Sequence, residues 1–259
     1  MKQIVLITGA SSGIGYEFAH IFAREKYNLV LAARSKQKLL DLKARLEKQY
    51  SIQCTIITAD LSNLEEVKSM VKQVNASGIN IDVLVNNAGF GDFGLFTETS
   101  WDKELQMINL NITALTYLTK EFAKQMVARK SGKILNLAST AAFLPGPLMA
   151  VYYATKAYVL SLSEAIANEL QGKGVTVTAL CPGPTASGFQ SAADIEDSKL
   201  VKGKKLPSSR EVAEYGYKAL IKGERVAVHG MINRLQVFFV RFSPRNLVTA
   251  TVRYMSEKA

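Results

Sequence analysis

A chain of 259 residues, 48% of them hydrophobic, is long enough to build one large α/β domain that needs neither disulfides nor a structural metal. Only two cysteines, Cys54 and Cys181, and two histidines, His20 and His229, are present, without metal-ligand spacing. No metal site or disulfide scaffold is therefore expected, and a reducing cytoplasm fits best. The formal net charge of +10 is dispersed along the chain with no nucleic-acid motif beside it, so it reads as a solvated basic surface, with acidic cofactors and anionic membranes left as physically open partners.

Met1-Lys2-Gln3 running into Ile4–Ile7 has the outline of a short signal segment. Thr8-Gly9 breaks the apolar run at once, however, so Ile4–Thr8 reads as a first strand. The segment Gly9-Ala10-Ser11-Ser12-Gly13-Ile14-Gly15 then opens a helix. Glycines there permit a tight turn and close backbone approach, and the helix N-terminus offers free N–H groups to a pyrophosphate. The spacing is G-x3-G-x-G, and a turn that merely packs helix on sheet stays an alternative. A second strand, Asn28–Ala33, ends at Arg34, where an acidic residue would hold a ribose 2′-hydroxyl and repel a 2′-phosphate. A guanidinium at that point favours NADP(H) over NAD(H), unless Arg34 is only a solvated helix-start residue.

A third strand, Cys54–Thr58, leads to Asp60 and Leu61, which are counted with the cofactor-binding residues. Asp60 suits either an adenine amino group or the cap of the following helix. That helix has one apolar face (Val67, Met70, Val71, Val74), and Ser62-x-x-Glu65 is a capping-box start. A fourth strand, Val83–Asn86, closes in Asn87-Ala88-Gly89, a turn suited to lie against a cofactor or simply a turn. Asn111 falls on a long helix, and a fifth strand, Lys133–Ala138, ends at Ser139, a hydroxyl placed to donate to a developing oxyanion. Tyr152-x3-Lys156 puts a phenol and an ammonium on one helix face, where the ammonium is expected to lower the phenol pKa. That spacing is weak alone, because Tyr254-x3-Lys258 repeats it near the end of the chain.

A sixth strand, Val175–Leu180, precedes Pro182, Gly183 and Thr185, also counted with the cofactor residues, and a weakly patterned lid over about residues 184–207. Ser208-x-x-Glu211 is a second capping box, and Arg225–Val228 a seventh strand. Strand–helix alternation requires a mostly parallel sheet covered on both faces. No uncharged stretch approaches the roughly 20 residues that span a bilayer.

These residues, Thr8-Gly9-x3-Gly13-x-Gly15, Asp60, Asn86-Asn87-Ala88-Gly89, Asn111, Ser139, Tyr152-x3-Lys156 and Pro182-Gly183, stand in the order of the short-chain dehydrogenase/reductase family. The sequence resembles the single-domain branch of that family over residues 2–230. The resemblance implies a Rossmann-type doubly wound α/β fold, with a seven-stranded parallel sheet and helices on both faces. It implies Tyr152 as acid/base, Ser139 as carbonyl orienter, Asn111 in a proton relay, and Lys156 also holding the nicotinamide ribose. It further implies an NADP-preferring enzyme, and a homodimer or homotetramer built on the helices of Asn111 and Tyr152. One departure is that Ser187 stands where the family often has Thr after Pro-Gly.

The expected function is thus NADPH-dependent reduction of a ketone, or oxidation of the secondary alcohol. Ala141, Ala142, Phe143, Leu144, Leu148, Met149 and Val151, with Phe90, Phe93 and Phe189, suggest a hydrophobic substrate. Residues 1–230 are read as the catalytic domain and 231–259 as its C-terminal extension, a basic amphipathic helix. Met231, Leu235, Phe238, Phe239 and Phe242 share one face and Arg234, Arg241 and Arg245 another. Packing of this helix on its own domain or on a second subunit is favoured over contact with an anionic membrane.

Overall fold

The apolar runs become seven short strands in a computed structural model that describes residues 2–258; Met1 and Ala259, the outer ends of the two expected spans, lie outside the described residues. The strands are β1 (Ile4–Thr8), β2 (Asn28–Ala33), β3 (Cys54–Thr58), β4 (Val83–Asn86), β5 (Gly132–Leu137), β6 (Val175–Cys181) and β7 (Val226–Val228). They form one parallel sheet in the order β3-β2-β1-β4-β5-β6-β7. Leu6 at its centre pairs with Val30 and Leu84, and all three are buried, because a sheet covered on both faces needs apolar side chains pointing both ways.

The helices are α1 (Gly13–Arg24), α2 (Lys36–Tyr50), α3 (Leu64–Ala76), α4 (Trp101–Ile108), α5 (Leu115–Ala128), α6 (Ala150–Glu169), α7 (Phe189–Ala192), α8 (Ser209–Lys222), α9 (Met231–Val240) and α10 (Arg245–Ser256). Phe18 and Phe22 of α1, Leu39 and Leu46 of α2, and Val212 and Leu220 of α8 cover one sheet face. Val67 and Met70 of α3 with Leu118, Phe122 and Met126 of α5 cover the other. Each such side chain taken fully out of water contributes roughly 1.5–3 kcal/mol.

Local signals were honoured unevenly. Ser208 and Glu211 form the capping box of α8 that the sequence suggests. At α3 the cap is Asn63, whose side chain accepts from the Glu65 amide at 3.0 Å. Ser62 cannot serve there, because its amide and hydroxyl both donate to Asp60, at 3.0 and 2.8 Å. Asp60 therefore closes a turn ahead of the helix and does not cap it.

The long helix expected around Asn111 is interrupted. Between α4 and α5, Asn109–Ala114 form a π-helical turn, a form common where a side chain must be re-aimed. Beyond β6 the lid folds into α7 and a series of turns, and it is bound to the far end of the chain. Ser198 bridges Lys258, the Lys199 amide donates to the Glu257 carbonyl at 3.0 Å, and Lys258 pairs with Asp194 at 3.8 Å. Tyr254 is exposed under the Lys199 ammonium and Lys258 lies outside α10, so the second Tyr-x3-Lys is not a facing pair.

Candidate active site

The strand order reverses between β1 and β4, and in open α/β sheets the ligand crevice lies at the carboxyl ends of the strands there. Thr8, the last residue of β1, is buried at that point. Its hydroxyl accepts the amides of Asn87 and Ala88, both at 3.0 Å, and donates to the Val85 carbonyl at 3.3 Å. Asn87 donates back to the carbonyls of Thr8 at 2.9 Å and Gly9 at 3.3 Å. The turn after β4 is in this way fastened to the glycine loop after β1.

Two glycines are obligatory here. Gly9 has φ +66°, and a Cβ on Gly15 would lie 2.4 Å from both the Asn87 amide nitrogen and the Gly9 carbonyl oxygen. The N-terminus of α1 suits a pyrophosphate. Ser12 makes no side-chain cap bond there, the first turn holds no acidic residue, and Ser11, Ser12, Gly13 and Ile14 keep exposure. Arg34 is exposed just past β2. Burial works to raise the Asp60 pKa, but the Ser62 amide and hydroxyl and the Arg34 charge hold it below its ordinary value. Leu61 is buried beside Asp60.

Ser139 follows β5 and caps a short 3-10 turn, Thr140–Phe143, accepting from the Ala141 amide at 3.1 Å. Its hydroxyl also lies 3.4 Å from the Pro182 carbonyl and is close enough to act on the Tyr152 phenol. Tyr152 and Lys156 both lie on the buried side of α6. The Lys156 ammonium donates to the Leu137 carbonyl at 2.7 Å and sits 5.8 Å from the centre of the Tyr152 ring.

Asn111 arrives from the π-helical turn. It donates to the Phe90 carbonyl at 3.0 Å and to the Thr155 hydroxyl at 3.1 Å, and accepts from the Phe90 amide at 3.3 Å. A Cβ on Gly89 would lie 3.0 Å from the Asn111 oxygen and 3.5 Å from the Lys156 nitrogen, so these three residues converge. All four expected catalytic positions thus come together at one sheet edge, next to the glycine loop.

Burial pushes the Tyr152 phenol above its ordinary value, with the Ser139 hydroxyl pulling the other way. The Lys156 ammonium spends its hydrogen bond on the Leu137 carbonyl and is itself buried. Burial brings Lys156 down from 10.5 to about 8. Between those two values the unfolded chain binds more protons than the folded one, so stability must rise with pH across that window. From about pH 7.5 to about pH 9.5 the wild type should gain about 2 kcal/mol of unfolding free energy relative to Lys156→Met, measured by urea denaturation. Equal changes in the two proteins would mean that Lys156 keeps its proton when folded.

Several neighbours carry no motif and escape sequence reasoning. Thr155 receives Asn111 and donates to the Tyr152 carbonyl at 2.7 Å. Beneath the site, Asn86 donates to Asn136 and Thr119, both at 2.9 Å, and Asn136 donates to Ser163 at 2.9 Å. That buried chain ties β4 and β5 to α5 and α6, and it is costly to leave half-made. Only Asn86 and Asn136, polar residues inside apolar strands, hint at it in the sequence.

The apolar residues expected around a substrate divide. Ala141 and Met149, with Phe90, Phe93, Leu144, Val151 and Phe189, pack around Tyr152, whereas Ala142 and Phe143 belong to a separate cluster with Val159 and Leu160. Phe189 of the lid lies on Tyr152, with ring centres 5.2 Å apart. A recess beside Tyr152 is lined by Met107, Leu148 and Met149 but also by Asp92, Thr99 and Glu104, so its wall is not wholly apolar. Thr185 is buried and donates to the Gly183 carbonyl at 2.9 Å, while Ser187 accepts from the Phe189 amide at 3.2 Å within its own turn.

Residues 3–197 match the family model described as short chain dehydrogenase. The chain is 35% identical over 210 residues to a 3-oxoacyl-[acyl-carrier-protein] reductase of Staphylococcus epidermidis, covering 77% of this chain and 83% of that protein. A short-chain dehydrogenase from Sphingobium yanoikuyae, solved in complex with NADPH, is 31% identical with a TM-score of 0.83, covering 93% of this chain and 94% of that one. A bulky-bulky ketone specific alcohol dehydrogenase from Comamonas testosteroni is 30% identical with a TM-score of 0.79, covering 93% and 92%. The chain belongs to the short chain dehydrogenase family, as an oxidoreductase acting on alcohol and ketone groups with a nicotinamide dinucleotide.

Proposed function

We propose that this chain uses NADPH to reduce a ketone on a hydrophobic substrate, or runs the reverse oxidation, with Tyr152 as the proton donor. The observation that carries the reading is the convergence of Asn111, Ser139, Tyr152 and Lys156 beside the glycine loop. When bound, the dinucleotide supplies the hydride. A phenol held protonated by burial suits donation to the carbonyl oxygen as charge develops there. Ser139, whose hydroxyl acts on that phenol, donates to the same oxygen and orients it. Lys156 holds the nicotinamide ribose, and Asn111, fixed by Phe90 and Thr155, carries the proton path outward from Lys156.

Gly9, Ser11, Ser12, Gly13, Ile14 and Gly15 would cradle the pyrophosphate, Arg34 would meet the 2′-phosphate, and Asp60 with Leu61 would hold the adenine. Asn87, Ala88, Gly89, Pro182, Gly183 and Thr185 would hold the rest of the dinucleotide. The preference for NADPH rests on Arg34 and is supported by the Sphingobium relative. Residues 1–230 with the lid form the catalytic domain, and 231–259 complete it, since Val240, Val248 and Val252 join the apolar cluster around Tyr152. Ala154, Ser161 and Ala165 on α6 are exposed, which leaves a small-residue face free for the subunit contact of a homodimer or homotetramer. Two free, buried cysteines suit the cytoplasm.

Loss of NADPH absorbance across 3-ketoacyl thioesters, bulky aryl ketones, ketosteroids and small hydrophilic ketones tests the reading. Turnover should concentrate on the bulky apolar members. Turnover confined to hydrophilic ketones, or the same rate with NADH as with NADPH, would overturn it.

A further inference from the structure

The apolar face of α9 does not pack on its own domain, which leaves a second subunit or a membrane to cover it. Met231, Ile232, Leu235, Phe238, Phe239 and Phe242, the last in the turn that prolongs the helix, are between 51% and 81% exposed. In helical projection they share one side, and Asn233, Val237 and Val240 take the opposite one. That inner side holds the helix in place. Val237 is buried, Val240 joins the cluster around Tyr152, and Asn233 donates to the His229 carbonyl at 2.7 Å while abutting Gly183. The outward side is organised too, because Phe238 meets Phe239 and Phe242 edge-on, with ring centres 5.6 and 5.4 Å apart. Six large apolar side chains on one exposed helix face are far more than scattered surface residues, and a patch of that kind marks a docking surface.

The charge around the patch selects the partner. Residues 231–256 contain Arg234, Arg241, Arg245 and Arg253 and neither Asp nor Glu. Arg234 is braced beside the patch by the Val228 carbonyl at 2.9 Å and the Tyr215 hydroxyl at 2.7 Å. A second copy docked about a two-fold axis would set these arginines against each other with no carboxylate to receive them. An anionic bilayer surface offers hydrocarbon for the aromatic side chains and phosphates for the guanidiniums at its rim. No helix among the described residues is long and apolar enough to cross a membrane, so the contact is with one leaflet.

We propose that the exposed face of α9, with the turn through Phe242, docks this protein peripherally on anionic phospholipid. The inner side of the same helix touches Gly183 after β6, so docking would hold the substrate cleft in a fixed relation to the lipid surface. This inference does not depend on the catalytic reading. Its test is co-sedimentation of the full chain with phosphatidylcholine vesicles, with and without phosphatidylserine.

The wild type should sediment with the phosphatidylserine vesicles and be released by raised salt. Phe239→Ser/Phe242→Ser and, separately, Arg241→Glu/Arg245→Glu should each weaken partition by about tenfold or more. Unchanged far-ultraviolet circular dichroism and unfolding midpoint in both variants show that the fold is kept. Failure of the wild type to sediment, equal sedimentation with neutral vesicles, or unchanged partition of the variants would each overturn the proposal. So would a drop in molecular mass by light scattering in the Phe variant without lipid binding by the wild type, which would make the face a subunit interface.

Discussion

Tyr152→Phe should lower kcat for any accepted ketone by about 10³-fold while leaving the Kd for NADPH nearly unchanged. The substitution removes one hydroxyl and keeps the ring, which packs on Phe189 and Tyr153 and lies near Lys156, so the walls of the site should stay as they are. What disappears is the proton donor beside Ser139. Single-turnover rates with saturating NADPH, beside fluorescence titration of the cofactor, separate the two effects. Retained turnover would remove Tyr152 from the chemistry, and a parallel loss of cofactor affinity would make it a structural residue. Phe189 also bears on this result. Because it covers Tyr152, a substrate must displace or slide past it, so KM should respond to the lid more than to the tyrosine.

The second large effect concerns cofactor choice. Arg34→Ala should weaken NADPH binding by roughly 10- to 100-fold and change NADH binding little, as expected for loss of a charge-assisted contact worth roughly 1.5–3 kcal/mol. Arg34 is exposed at the end of β2 and its charge is felt at Asp60, so it stands at the mouth of the crevice and not in the packing. Removing it should cost the fold almost nothing, and isothermal titration with both dinucleotides is a clean readout. Equal losses for the two cofactors would refute the 2′-phosphate assignment.

Much of this architecture is legible in the residues because parallel strands buried on both faces read as unbroken apolar runs. Six of the seven strands start where those runs start, or one residue later, and β5 is displaced by a single residue, Gly132–Leu137 against an expected Lys133–Ala138. Ser139 could be named because a strand end fixes where a side chain emerges, and Asn111, Tyr152 and Lys156 because they stand in the order of the family the sequence resembles. Features that depend on competition between neighbours were not legible. Ser62 and Asn63 could each have capped α3, and the choice turned on Asp60 claiming the Ser62 hydroxyl. The π-helical turn at Asn109–Ala114 leaves no periodic trace, since one added residue per turn looks like ordinary helix in a short window. In the same way, periodicity showed that the tail helix has an apolar face but not which side of it meets the domain.

The bridge between Ser198 and Lys258 joins the lid to the last described residues. With the Lys199–Glu257 contacts it acts as a latch between the lid and the segment after α10. Disturbing Glu257 or Lys258 would therefore loosen a cover over Tyr152 from the far side of α10, and a KM measured on such a variant would report the lid and not the chemistry.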